Sequence, residues 1–157
     1  MELNKDFEDL LHLLNSGHVR YLVVGAYAVI FHTEPRYTKD LDIWIDPTRK
    51  NAQKVYQALK SFGAPLQALT LEDLMNPKMV YQVGVEPNRI DVLMGIGKIP
   101  FQKAWKQKKV DHYGQEKMYI LGLEDTIQAK KIAGRPQDQL DLEGLLLAKK
   151  MNKKKKL

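Results

Sequence analysis

The sequence contains no cysteine, so neither a disulfide nor a thiolate metal site is available to it. Long apolar runs are missing as well. Tyr21 to Ile30 falls well short of the roughly 20 residues that a membrane span needs. No basic segment leading into an apolar core opens the chain, which gives no sign of a secretory leader. The expectation is a cytoplasmic protein without membrane contact. Neither a Gly-x-Ser-x-Gly elbow nor a Walker-type loop is present. His12, His18, His32 and His112 show no metal-ligand spacing, and Gly95-Ile96-Gly97 lacks the third glycine and helix of a dinucleotide fingerprint.

What remains is one domain's worth of periodic aliphatic sequence. A chain of 157 residues is long enough to bury an ordinary core and leaves little room for a second unit. The formal charge is +6, and Lys149, Lys150, Lys153, Lys154, Lys155 and Lys156 account for all of that excess. The expected organisation is a single domain over residues 1–150 with a basic tail over 151–157. Such a tail can touch phosphates or simply be solvated. Lys103, Lys106, Lys108 and Lys109 form a second basic cluster.

Phe7, Leu10, Leu11 and Leu14 recur at helical spacing, so residues 3–15 read as an amphipathic helix closed by Asn15-Ser16-Gly17. Tyr21 to Val24 reads as a short strand stopped by Gly25, and Ala26 to Phe31 as a helix. A strand over 40–46 leads to a helix from about Thr48 to Ser61, with Val55, Leu59 and Phe62 inward. Residues 63–77 are hard to read, apart from one helical turn at Leu71 to Met75. Met79 to Val85 and Arg89 to Met94 look like strands joined by Glu86-Pro87-Asn88. Phe101 to Lys108 suggests a short helix. Val110 to Tyr113 and Lys117 to Leu121 suggest a strand pair turning at Gly114. Leu123 to Ala133 reads as a helix ended by Gly134, and Pro136 opens a last helix to about Lys150. Strands and helices in this order suggest an α/β (α+β) domain, one mixed sheet covered by helices.

Chemistry concentrates in Asp40-Leu41-Asp42-Ile43-Trp44-Ile45-Asp46. Strand alternation sends Leu41, Ile43 and Ile45 to one face and Asp40, Asp42, Trp44 and Asp46 to the other. Carboxylates two residues apart on one face repel each other unless a cation intervenes, and Mg²⁺ favours such oxygens. Asp91 sits in the apolar strand Arg89 to Met94, where a lone buried acid is costly and a neighbouring cation would offset the cost. Pairing with Arg89 is the plainer alternative. The Val24-Gly25-Ala26 junction of strand and helix can bring backbone N–H groups to a phosphate. Trp44 and Trp105 read as packing residues rather than a base-stacking platform.

Together these segments resemble the DNA polymerase beta-like nucleotidyltransferase superfamily. That family shows a strand ending in Gly-Ser or Gly-Gly, a helix, Asp-x-Asp on the next strand and a later strand aspartate. Arg36-Tyr37-Thr38-Lys39-Asp40-Leu41-Asp42 is similar to the approach to the aspartate pair in minimal, stand-alone members. Lys130-Lys131-Ile132-Ala133-Gly134-Arg135-Pro136-Gln137-Asp138, with Asp141 beyond, resembles a block of the abortive-infection, type IV toxin–antitoxin branch. The likeness runs from about residue 20 to 147. It departs at Ala26, where the family carries a second glycine or a serine.

The resemblance implies a nucleotidyltransferase fold and Mg²⁺- or Mn²⁺-dependent transfer of a nucleoside monophosphate from an NTP to an RNA, protein or small-molecule acceptor. Asp40, Asp42 and Asp91 would be the catalytic and metal-binding residues. Two metals about 3.5–4 Å apart would clamp the reacting oxygens. Gly25, Ala26, Lys39, Lys130, Arg135 and Asp138 would contact the nucleotide. Lys131 is an alternative to Lys130, and Asp138 also suits a first-turn dipole role. Two other readings stand beside the enzyme: a nucleotide- or RNA-binding module of weak or no activity, and a subunit that depends on a partner protein. The apolar face of the first helix would serve that partner unless it packs on its own sheet.

Overall fold

The computed structural model describes residues 3–84 and 88–155. Asn4 sets the first helix boundary, because its side chain accepts from the backbone N–H groups of Asp6 at 2.9 Å and Phe7 at 3.3 Å. The helix α1, Lys5–Ser16, buries Phe7, Leu10, Leu11 and Leu14 in the main core. Its apolar face is thus spent on its own domain, not left open for a partner. Strand β1, Tyr21–Val24, and helix α2, Gly25–His32, follow without a linker.

Strand β2, Leu41–Ile45, and helix α3, Arg49–Phe62, come next. The opaque stretch after α3 holds a single 3-10 turn at Asp73–Met75, anchored by fully buried Leu74. Strands β3, Val80–Val83, and β4, Ile90–Leu93, pair antiparallel, and the hairpin turn expected around Glu86-Pro87 lies outside the described residues. Helix α4, Phe101–Lys106, precedes the hairpin of β5, Lys109–Tyr113, and β6, Glu116–Ile120. Helices α5, Leu123–Ala133, and α6, Pro136–Lys155, complete the described chain. Helix α6, expected to end near Lys150, continues through Lys155 and carries five of the six C-terminal lysines.

The six strands form one mixed sheet in the order β3-β4-β2-β1-β6-β5. The β1–β6 and β2–β4 pairs are parallel and the others antiparallel. Both faces of the sheet's centre are covered. Leu41, Ile43 and Ile45 are buried on one side, and Trp44, expected to share the acidic face, is buried on the other at 5.0 Å edge-on to Phe101. Helix α1 packs on α3 and β6, while α2 lies on β1 and β2 and touches α5 and α6. Val29, Ile127 and Leu145 form a small separate cluster joining α2, α5 and α6.

Asn51 fixes the end of the sheet far from Asp42. Its amide accepts from Arg20 N at 2.8 Å and donates to Arg20 O at 3.0 Å and Asp46 O at 2.8 Å. The side chain is buried, so its loss leaves backbone groups dry and unpaired. Asn51→Leu should lower the unfolding free energy by about 3 kcal/mol, as a reduced midpoint in urea denaturation. An unchanged midpoint would show that the clamp contributes nothing.

Candidate active site

Strand register brings the predicted acids together. In the parallel β2–β4 pair Asp42 stands directly beside Asp91, and on the other side of β2 Asp42 is the partner of Val24 at the end of β1. Asp40 precedes β2 by one residue. All three acids, with Gly25, Ala26, Lys130 and Arg135, line one cleft of about 610 Å³. This is an ordinary size for a small-ligand site. Thr38, Arg36, Gln82 and Asp141 line it too.

Gly25 has φ +64°, and a Cβ built there would stand 2.1 Å from Asp42 Oδ2. The position therefore demands glycine twice, for the left-handed backbone and for the approach of the carboxylate. Val24, which caps α2, offers no side-chain cap hydrogen bond, and no acid occupies the helix's first turn. The N–H groups of that turn are left to the cleft. Ala26 keeps its N–H while lacking a hydroxyl.

Arg89 is the counter-ion of this structure. Its Nε lies 3.1 Å from Asp91 Oδ1 and its Nη2 3.6 Å from Asp40 Oδ2. Its Nη2 also donates a hydrogen bond to Asp91 Oδ2 at 3.4 Å, while the Nε–Oδ1 contact has the distance of an ion pair only. Asp40 Oδ1 is buried with no hydrogen-bond partner. Burial, reinforced by the charges of Asp91 and Asp40, pushes the Asp42 carboxyl up to about 6, although Lys130 and Arg89 pull it down. Burial likewise raises Asp91 above the usual carboxylate range.

Among the described residues, no three His, Asp or Glu side chains are grouped tightly enough to form a ready metal-ligand set. Arg89 spans Asp40 and Asp91 where a cation would go. The donor chemistry nevertheless suits a hard divalent ion. It offers oxygen ligands only, an unpartnered buried oxygen on Asp40, and carboxylates held at a cost that positive charge would relieve.

Across the cleft, Lys130 is only 11% exposed and its Nζ lies 3.0 Å from both Asp138 Oδ1 and Asp141 Oδ2. Of the two lysines left open by the sequence, Lys130 lines the cleft, while Lys131 is exposed and does not. Asp138 is buried and also takes the guanidinium of Arg135, Nε to Oδ2 at 2.9 Å, and the Arg135 N–H at 3.0 Å. Those bonds, Arg135's above all, hold its carboxyl well below the usual range. Asp138 does not itself line the cleft, and Lys39 lines a separate one with Asn4, Tyr27 and Tyr113.

Sequence reasoning missed the pairing of Arg36 with Asp141, Nη2 to Oδ1 at 3.1 Å, which ties the approach to β2 onto α6. The available signal was the three-residue spacing of Asp138 and Asp141, which places both on one face of a helix.

A family model described as "Nucleotidyltransferase of unknown function (DUF6036)" matches residues 1–155. Three solved structures share the fold. A lincosamide antibiotic adenylyltransferase with lincomycin bound aligns with TM-score 0.58 at 17% identity, over 92% of this chain and 98% of that one. A nucleotidyltransferase-like protein of Thermotoga maritima aligns with TM-score 0.59 at 16% identity, over 92% and 95%. The antibiotic-resistance factor ANT(2'')-Ia aligns with TM-score 0.55 at 11% identity, over 92% and 80%. No curated protein matches the sequence.

The raised Asp42 fixes a pH dependence. In the folded chain this carboxyl keeps its proton up to about 6, against about 3.9 when unfolded. Between those values the native state binds more protons. The group's contribution to stability is therefore full below about pH 4 and lost as pH rises through 6. In metal-free buffer, Asp42→Asn should be more stable than the parent at pH 8 by up to about 2–3 kcal/mol, with the gap closing near pH 4. Denaturation curves at both pH values measure it, and a gap that does not narrow in acid contradicts the assignment.

Proposed function

Starting from a chain that belongs to this nucleotidyltransferase family, we propose that it moves a nucleoside monophosphate from an NTP to an acceptor, releasing pyrophosphate. The observation that carries this reading is the register of Asp42 and Asp91 on adjacent parallel strands, facing Gly25 and Lys130 across one cleft. The N–H groups at the start of α2 hold the phosphate tail, with Gly25 letting the backbone come close. Lys130 and Arg135 neutralise the far phosphates, and Asp138 positions both cations. Asp91, raised above the ordinary range, takes the acceptor's proton.

Asp40, Asp42 and Asp91 would hold Mg²⁺ or Mn²⁺, which when bound supplies positive charge to the reacting phosphate and its leaving group. Arg89 would compete with that ion for Asp40 and Asp91. Two of the fold's relatives are an antibiotic adenylyltransferase and an antibiotic-resistance factor, which supports a small molecule as one acceptor class to test beside RNA and protein. The toxin–antitoxin likeness of Lys130 to Asp141 adds a partner-regulated version of the same chemistry. The occupation of two catalytic acids by Arg89 favours a second reading, a binding module without turnover.

Incubation with each labelled NTP, Mg²⁺ and total tRNA, protein or a set of antibiotics that includes lincomycin separates the two. Transfer of label, reduced about 10²-fold or more by Asp42→Asn and abolished by chelator, is the expected result. Lys130→Ala should weaken NTP use chiefly through KM. Saturable NTP binding with no transfer to any acceptor would leave the binding module.

A further inference from the structure

The other end of the sheet carries a cluster that the carboxylate cleft does not use. Trp105 of α4 and Tyr119 of β6 meet edge to face at 5.2 Å, and Phe101 stacks behind Trp105 at 5.9 Å. Three cations lie against these two rings. Lys108 Nζ is 4.1 Å from the Trp105 centroid and 5.7 Å from that of Tyr119. The Arg20 guanidinium is 5.8 Å from Trp105, and Lys117 Nζ is 5.9 Å from Tyr119. All are within cation–π range. Trp105 thus has Arg20 and Lys108 near its ring, and Tyr119 has Lys108 and Lys117.

None of the three cations forms an ion pair with a carboxylate among the described residues. Arg20, Trp105, Lys117 and Tyr119 line one cavity, Lys108 standing against Trp105 beside it, and the acid of that cavity, Glu116, is engaged by His12 at 2.8 Å. Lys108 is held in place by donating to Trp105 O at 3.3 Å. The cavity measures about 680 Å³ and shares no lining residue with the carboxylate cleft. Arg20 precedes β1 and Gly25 follows it, so the four-residue strand, about 13 Å long, separates the two sites.

We propose that this face binds the phosphodiester backbone of a single-stranded nucleic acid. Uncompensated like charges repel, and a chain of phosphates relieves each of them in turn. Three cations distributed over two rings suit a repeating anion better than a single phosphate. Protein interfaces deplete lysine at their centres, whereas lysine stands at the centre of this cluster. A positively charged groove that tracks the backbone is the general solution for single strands. The inference stands apart from the chemistry of Asp40, Asp42 and Asp91.

The test uses the full chain and a fluorescein-labelled single-stranded oligoribonucleotide, read by anisotropy and by quenching of Trp105, since Trp44 is buried. Binding that weakens with salt is expected. Lys108→Glu with Lys117→Glu should weaken it about 10-fold or more and shrink the salt slope by about 1.4, the value for two lost phosphate contacts. The milder Lys108→Gln with Lys117→Gln should show the same direction, and circular dichroism confirms that each variant folds. Lys153→Gln, Lys154→Gln and Lys155→Gln together should have the smaller effect. The proposal falls if the folded variants bind RNA like the parent, or if the α6 lysines account for all binding. It falls equally if pyrophosphate quenches Trp105 at the concentrations at which RNA does, or if polyglutamate displaces RNA as well as unlabelled RNA does.

Discussion

Mutual repulsion among Asp40, Asp42 and Asp91 is the constraint around which the cleft is arranged. Parallel pairing of β2 with β4 makes Asp42 and Asp91 neighbours across a ladder, a placement that like charges resist. The sheet imposes it because the flanking residues of each strand, Leu41, Ile43, Ile90 and Val92, are buried, and a one-residue slip would expose them. Apolar burial thus holds the register and the acids bear the strain. Asp42 records that strain by keeping its proton to about 6, and Arg89 relieves part of it by bridging Asp40 and Asp91. Gly25 completes the arrangement, since any side chain there would collide with the Asp42 carboxylate.

Helices α5 and α6 answer that anionic pole with a cationic one. Asp138 and Asp141, both buried on one face of α6, gather Lys130, Arg135 and Arg36 to the cleft's opposite wall. A lysine that is 11% exposed would be costly alone, and two carboxylates at 3.0 Å make its burial tolerable. The same contacts limit how far the ammonium can swing. Anionic substrate would meet cations that are already ordered, so little side-chain freedom remains to be lost on binding. The packing of α5 on α6 and the small cluster of Val29, Ile127 and Leu145 are therefore structural requirements of the cleft as well as of the fold.

Element types were legible in the sequence wherever periodicity and punctuation agreed, as in α1 with its Asn4 start and β2 with its alternating aliphatics. The acidic positions could be read for the same reason, because strand alternation and family order point to the same residues. Long-range contacts left no such trace. Trp44 shares parity with Asp40 and Asp42, yet α4 covers it through Phe101. Lys130 and Lys131 differ only in which way one helix is rolled, and packing against α6 decides that. The Arg36–Asp141 pair joins residues over a hundred positions apart, beyond any local pattern. Lys39 alternates away from the aspartates and lines another cleft. The sequence pattern puts the end of α6 near Lys150, and it lies at Lys155, in keeping with lysine being a good helix former.

The distribution of charge gives the sheet's two ends different capacities. At the end where β1 meets α2, acids stand together and cations face them, a pattern that would accept phosphate only in company with further positive charge. At the end where β1 begins, Arg20, Lys108 and Lys117 stand against two aromatic rings without a carboxylate ion pair among the described residues. An anionic polymer would be repelled by Asp40, Asp42 and Asp91 if it approached them first, since Coulomb repulsion extends over about a Debye length of 8–10 Å. Contact at the cationic end, about 13 Å away along β1, lies outside that range. A chain whose surface attracts phosphate at one place and tolerates it conditionally at another can hold a polymer without crowding the acids. This separation follows from strand length and side-chain charge alone.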